Sequence, residues 1–305
     1  SREPRRLSRK CRPDRSSPVA GRVRAVVPRR ITRNTPENDV TAQKARPFLE
    51  TLRIRSYETD ELDRVSVRAL CQYLQEAASH HARSLGVESM EHEGRTLSWV
   101  LARLRLRLDA MPSWGSELAI TTWPSDVDRL YAYRDFELEQ EGGSIGAAVT
   151  HWLLIDLETR KPVRIPERVS GIELPERERA LADADRRPQA PDAPTLVETF
   201  SAHRFLIDVN QHVNSAVYLD WALETIPEEV WTSHRLSELD VLFRAEARKG
   251  DRIEARSEEL VEVDEGAVFE HRVIKEDGET ELIRGRSRWA PAGVESDTGS
   301  ERDLT

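Results

Sequence analysis

The sequence predicts an α+β protein in which one unit occurs twice, each copy a long helix wrapped by an antiparallel sheet. Three observations carry that expectation. Strand-like and helix-like patterns follow one another in the same order in two stretches of similar length. A polar, proline-bearing segment divides them, and one stretch slides over the other with matching residues at matching places. At 305 residues the chain is long enough to bury two ordinary cores.

The first copy is expected over residues 46–170. "FLETLRIRS", from residue 48, alternates as a strand does, and "SVRALCQYLQEAASHHARSLG" follows with helical spacing. Leu70, Tyr73, Leu74 and Ala77 make the apolar stripe, Ser66 is the expected N-cap and Gly86 the expected stop. "LSWVLARLRLRL", "ELAITTWPS", "RLYAYRDFELEQ" and "GAAVTHWLLIDL" then read as strands, with "EGG" as a turn. Residues 171–195 hold Pro175, Pro188, Pro191 and Pro194 and read as a crossing linker.

The second copy, residues 196–291, repeats the order: "ETFSAHRFLI" is a strand, "NSAVYLDWALETIPEEV" a helix, and four strand-like stretches follow. An offset of 148 places Glu224 on Glu76, Trp221 on Tyr73 and Asn214 on Ser66. Beyond the helix the offset becomes about 135, and Leu239, Val241 and Phe243 fall on Leu104, Leu106 and Leu108. A helix with a wide apolar face needs a sheet curled around it, which is the hot-dog arrangement, here in tandem within one chain. Such units pair edge to edge, so the tandem satisfies its pairing internally as a monomer or pairs again as a homodimer.

Residues 1–45 carry 13 Lys or Arg against 4 Asp or Glu, so the −9 of the whole chain leaves −18 on residues 46–305. That basic arm has no helical or strand period and is expected to be disordered, as is the tail 292–305. Its Arg and Ser content suits an organelle transit peptide or a plain extension, and no aromatic residues interleave its cations as nucleic-acid binding would require. No run is apolar for the roughly 18 residues of a membrane span. The two cysteines, Cys11 and Cys71, cannot form a disulfide framework and fit a reducing cytoplasm, or an organelle if the arm is a transit peptide. Phosphate-loop, dinucleotide and HExxH motifs are absent, and the adjacent His80 and His81 lack metal-ligand spacing, so no metal or cofactor is implied.

The chemistry-bearing stretch is "LIDVNQHVNS", residues 206–215. In an extended chain Asp208, Asn210 and His212 would share one face about 7 Å apart, just before a helix start at Asn214 whose free N–H groups could hold an oxyanion. The offset of 148 provides an internal control: Asp208 falls on Asp60, but Asn210 falls on Leu62 and His212 on Arg64. Groups that one copy lacks are not required by the fold, which favours a role in function and one site per chain. Each also has a bland reading: a backbone-bonding Asp, a turn Asn, a satisfied His.

"DVNQHVNSAVYLDWALETIPEEV" resembles the signature of the acyl-ACP thioesterases, enzymes that hydrolyse fatty acyl thioesters of acyl carrier protein. The similarity extends over most of residues 48–290, including "PSWGSELAITTWPS", "YRDFEL" and "HWLLIDLETRKPV". It implies tandem hot-dog domains and a fourth site residue, Glu246, 34 residues after His212 in "FRAEA". Ala247 stands where the family carries a cysteine, which excludes a thiolate mechanism there. Water then attacks directly. A thioester's leaving thiol, with a pKa of about 8.5, needs little protonation, so the hard steps are deprotonating water and stabilising the oxyanion. The expectation is therefore a His212 and Glu246 pair that activates water, Asn210 positioning carbonyl or water, and Asp208 orienting its neighbours.

The resemblance also implies that the first copy holds the acyl chain, with Trp99, Trp114, Trp123 and Trp152 as candidate walls or plain core residues. Arg103, Arg105 and Arg107 alternate with leucines and could form a basic stripe for the acidic carrier protein, although a solvated strand face explains them equally. Competing functions are an acyl-CoA thioesterase, a non-catalytic acyl-binding hot-dog protein, and a hot-dog dehydratase that would give enoyl product.

Overall fold

The computed structural model describes residues 44–182, 186–263 and 266–292. The arm and tail expected to be disordered lie outside these residues except at Lys44, Ala45 and Ala292, which are tied down: Lys44 Nζ lies 2.8 Å from Glu173, Ala45 N–H donates to the Glu173 carbonyl, and Ala292 N–H donates to the Ser233 carbonyl.

The first copy runs β1 (Phe48–Arg53), α1 (Val67–Ser84), β2 (Ser89–His92), β3 (Arg95–Leu108), β4 (Glu117–Val127), β5 (Tyr131–Gln140) and β6 (Gly143–Asp156). A single helical turn, α2 (Glu167–Ser170), leads into the linker. The second copy runs β7 (Leu196–Ser201), α3 (Val217–Leu223), α4 (Glu228–Ser233), β8 (His234–Phe243), β9 (Arg252–Val263), β10 (Gly266–Lys275) and β11 (Glu281–Pro291). Among the described residues eleven strands form one sheet in the order β1-β4-β5-β6-β3-β8-β11-β10-β9-β7, with the short β2 paired to β3. Each half of that order mirrors the other, as the tandem double hot-dog requires.

The seam lies between β3 and β8, where Leu104 faces Val241 and Leu106 faces Leu239. Under the offset of 135 these two pairs exchange, so the seam is self-complementary in the manner of a two-fold dimer interface. The match slips by two residues in the last strand. Trp289 corresponds to Trp152, and each indole N–H donates to the hydroxyl two residues earlier, Ser287 at 2.9 Å and Thr150 at 2.8 Å.

α1 forms as its pattern predicts: the Ser66 hydroxyl accepts from Ala69 N–H at 3.1 Å, and Leu70, Leu74 and Ala77 are buried against the sheet. The second helix departs from expectation. It is only seven residues long and breaks before Pro227, because proline offers no N–H to bond and its ring crowds the preceding turn. α4 starts afresh after that proline. Both helices bury their apolar faces in one continuous core, including Leu70 and Leu74 from α1 and Val217 and Trp221 from α3.

The linker is a strap across the outer sheet face. Asp135 of β5 accepts from Arg179 at 2.9 Å and from Ala180 N–H at 2.7 Å; Leu181 packs on Ala147 and Val149 of β6. Farther on, Gln189 N–H donates to Glu270 of β10 at 3.1 Å and Asp192 N–H to Glu258 of β9 at 2.7 Å. The polar composition that reads as solvated linker thus satisfies carboxylates on the sheet.

Candidate active site

Residues 207–213 close into a tight turn. Ile207 and Val213 face each other across an antiparallel bridge, Asp208 N–H donates to the His212 carbonyl at 2.9 Å, and Gln211 N–H donates to the Asp208 carbonyl at 3.0 Å. Asp208 Oδ1 accepts from Asn210 N–H at 2.8 Å, and Gln211 adopts the left-handed region at φ 66°. The extended arrangement expected from spacing two is therefore corrected: the side-chain oxygen of Asp208 competes for local backbone donors and bends the chain. Asp208 and His212 nonetheless stay neighbours, across the turn rather than along a strand.

The first copy builds the same turn. Asp60 N–H donates to the Arg64 carbonyl at 2.8 Å, and Asp60 Oδ1 accepts from Leu62 N–H at 3.0 Å. Asp63 sits at φ 60°, where its twin Gln211 sits at 66°. Asp208 thus has the backbone role of Asp60, and the two copies differ in the side chains of its neighbours. Arg64 pairs with Asp60 at 2.8 Å and donates across the molecule to the His234 carbonyl at 2.9 Å, while its guanidinium lies 5.2 Å from the Trp231 ring. The twin position has become a staple between the copies.

In the second copy His212 Nε2 lies 3.1 Å from Glu246 Oε2. The imidazole is largely buried and its Nδ1 has no hydrogen-bond partner, whereas the Glu246 side chain is 42% exposed. Glu246 lies in the irregular segment 244–250 that follows β8. Its other oxygen accepts from Arg160, a residue the sequence reading missed. Arg160 comes from the first copy, in the turn after β6, where Asp156 Oδ1 accepts from Glu158 N–H at 2.8 Å and Arg160 takes a left-handed φ of 58°. No periodicity or spacing singles out that arginine, because its partner lies 86 residues away in the chain. The positive φ of a non-glycine residue is an uncommon backbone state.

Tyr218 was missed as well. Its hydroxyl, buried under α3, accepts from Ala247 N–H at 2.7 Å and so fixes the backbone directly after Glu246. Burial pushes this phenol up to about 12, with the Glu246 and Asp208 carboxylates acting in the same direction, so it stays protonated. The N–H groups expected to be open at the helix start are engaged: Ala216 N–H donates to Asn214 Oδ1 at 3.0 Å, and Val217 N–H to the Asn214 carbonyl at 3.0 Å. These two N–H groups are therefore not free to hold an oxyanion.

A cavity of about 860 Å³ runs beside α1 inside the first copy. Asp208, Asn210 and Asn214 are among its lining residues, so the second copy's turn contributes to a cavity formed mainly by the first copy. His212 and Glu246 are not among its lining residues. Ser215 Oγ donates to Gln75 Oε1 at 3.3 Å, tying the turn to α1. The wall also includes Arg134, whose Nη1 lies 2.8 Å from His81 Nδ1. A guanidinium cannot accept, so the His81 proton sits on Nε2. Burial, with Arg134 adding, pushes His81 down to about 4.

The chain matches the family model of the acyl-ACP thioesterase N-terminal domain over residues 46–172 and that of the C-terminal domain over residues 189–291. The chain belongs to the acyl-ACP thioesterase family. A chloroplastic acyl-[acyl-carrier-protein] hydrolase of Cuphea viscosissima is 30% identical over 276 residues, 83% of this chain and 66% of that protein. A chloroplastic palmitoyl-acyl carrier protein thioesterase of Gossypium hirsutum is 29% identical, and the match again spans 66% of its length. The chain thus spans just under two thirds of these relatives. Among solved structures, the 12:0-ACP thioesterase from Umbellularia californica superposes with a TM-score of 0.71 at 25% identity, covering 80% of this chain and 94% of that one. An acyl-ACP thioesterase from Bacteroides thetaiotaomicron gives 0.69 at 26% identity, covering 80% and 97%.

Within this acyl-ACP thioesterase family member, Ala247 is fully buried, so its side chain takes no part in a site. Of the four tryptophans, Trp99 and Trp152 line the cavity, Trp123 is buried in the core and Trp114 is on the surface. The arginine stripe is corrected. Arg103 is 8% exposed and held by Asp240 through two bonds of 2.8 and 2.6 Å, and Arg105 donates to the Ala182 carbonyl of the strap. Arg107 is exposed but faces Glu238 on the neighbouring strand. With one member buried, one bonded to the strap and one beside an acid, the three do not form an open basic surface.

Proposed function

We propose that the chain hydrolyses the thioester of fatty acyl-ACP, releasing free fatty acid and holo-ACP. The observation that carries this reading is the His212 and Glu246 contact at 3.1 Å, next to a turn that lines a chain-sized cavity. The acyl chain lies along α1 in that cavity, and the thioester carbonyl sits beside Asp208 and Asn210. Asn210, exposed and lining the cavity, donates from its amide to the carbonyl oxygen.

Glu246 is the group of the pair that reaches solvent, so it takes a proton from water as the water oxygen bonds the carbonyl carbon. His212 holds one Glu246 oxygen through Nε2 and Arg160 holds the other, which fixes the carboxylate for attack. Collapse of the tetrahedral intermediate breaks the C–S bond, and the proton returns from Glu246 to the thiolate. Asp208 keeps the turn closed.

The test is product identity. Wild-type protein and the His212→Ala variant are incubated with one acyl group on ACP and on CoA, and products are identified by mass. Free acid from wild type, faster on ACP and lost in the variant, supports the reading. Enoyl product would indicate a dehydratase, faster turnover on CoA would change the carrier, and the absence of any turnover would leave an acyl-binding protein.

A further inference from the structure

The two copies of the turn share a backbone, yet each turn taken together with the segment after β8, or its twin after β3, differs in sign of charge. Segments 203–212 and 244–250 around the site hold Arg204, Arg244, Arg248 and Lys249 against Asp208 and Glu246, a balance of +2. Their twins, 55–64 and 109–115, hold Arg55 and Arg64 against Glu58, Asp60, Glu61, Asp63 and Asp109, a balance of −3. The turn alone is neutral in the second copy and −2 in the first, so a shared backbone does not dictate the charge, and the excess cations sit on 244–250. A third segment joins on the site side: the turn 157–164, which delivers Arg160 to Glu246, adds Lys161 and Arg164 against Glu158.

Lys161, Arg164, Arg204, Arg248 and Lys249 are all exposed and make no ion pair among the described residues, whereas Arg160 and Arg244 are paired with Glu246 and Glu281. Two apolar side chains of the turn region stand out into solvent: Phe205 is 81% exposed and Val209 96%. Exposed apolar residues with unpaired cations around them form the centre and rim of a protein interface. On a body that carries −18 over residues 46–305, a local basic rim steers an acidic partner to one place.

We propose that this rim is the docking surface for the acidic carrier protein. Lys161, Arg164, Arg204, Arg248 and Lys249 meet its carboxylates, and Phe205 and Val209 meet its apolar surface. The inference rests on the thioesterase reading and relocates the docking face from the strap-covered Arg103 strand to the mouth of the site.

The experiment compares wild type with the Lys161→Glu/Arg248→Glu/Lys249→Glu triple variant, using one acyl group on ACP and on pantetheine, which lacks carboxylates. None of the three residues belongs to the catalytic set. The expected result is a rise of about tenfold or more in KM for acyl-ACP and loss of the salt dependence that wild type shows. The kcat/KM for acyl-pantetheine should stay within about twofold, because no charged surface is then engaged. An unchanged KM for acyl-ACP, or an equal fall on both substrates, overturns the docking surface. If the triple reversal fails to fold by circular dichroism, the Lys161→Gln/Arg248→Gln/Lys249→Gln variant is used, with a smaller rise in the same direction expected and no rise overturning the proposal. Failure of wild type to cleave either substrate overturns the thioesterase reading, and the docking surface with it.

Discussion

The two copies agree in backbone and differ in what fills them. The first has an 18-residue helix beside a cavity of about 860 Å³; the second has a seven-residue helix and a smaller pocket of about 390 Å³ beside Phe200 and Trp221. In the second copy a buried polar chain crosses the space below α3. Thr225 donates to the Ala222 carbonyl, which leaves Ser257 to donate to Thr225 at 2.6 Å. His271 Nδ1–H therefore donates to Ser257 at 2.7 Å, and His271 Nε2 accepts from Ser287 at 2.7 Å, whose oxygen takes the Trp289 N–H. One proton order satisfies every member, with the imidazole neutral. The larger cavity thus belongs to the first copy, while the proposed reactive side chains, His212 and Glu246, belong to the second.

The largest expected effect tests that division at the reactive end. His212→Ala should lower kcat for acyl-ACP by about 10²–10⁴-fold, with KM little changed because His212 does not line the cavity. Next is the contact between copies: Arg160→Met should lower kcat about 10- to 100-fold, in line with the loss of a charge-assisted bond. Arg160→Lys should recover part of that loss and the melting temperature should hardly move, whereas a merely structural role would shift melting and leave kcat unchanged.

The buried polar chain predicts the pH dependence of stability. Burial pushes His271 down to about 3, so the folded state keeps it neutral while the unfolded chain protonates near the ordinary value of 6.5. Below that pH the unfolded state binds the extra proton, and stability falls by about 1.4 kcal/mol per unit from this group alone. Urea midpoints measured from pH 7 to pH 5 should decline, with Glu270 and Asp220, raised by burial to about 7 and about 6, offsetting part of the fall; a decline no smaller in His271→Asn than in wild type would contradict the neutral network. His81 and His151, both pushed down to about 4 by burial first, add to the decline. The smallest effect is expected at Tyr218→Phe, which removes the acceptor of Ala247 N–H and should cost about 1 kcal/mol in stability with a few-fold loss of kcat.

The duplication was legible because helix stripes and strand alternation repeat at fixed offsets, which made Leu104 and Leu106 equivalent to Leu239 and Val241; that these equivalent strands also pair at the seam was not legible. The His212 and Glu246 pair was legible through the family resemblance, since nothing local joins a loop glutamate to a histidine in a turn. What sequence did not disclose depends on chain direction and contact in space. Spacing two suggested an extended segment, but the side chain of Asp208 closes a turn. The alternation of Arg103, Arg105 and Arg107 suggested an exposed face, but the strap and Asp240 occupy it. Arg160 and Tyr218 have no pattern at all, only partners delivered by the fold.

The division of labour between copies is tested most directly by one paired measurement: free fatty acid release from acyl-ACP by Glu246→Gln and by Met111→Leu, its twin position in the first copy. Glu246→Gln should lose at least about 100-fold in kcat, and Met111→Leu, a volume-conserving change, should retain near wild-type turnover. Equal activity in the two variants would contradict a single site built on the second copy's turn.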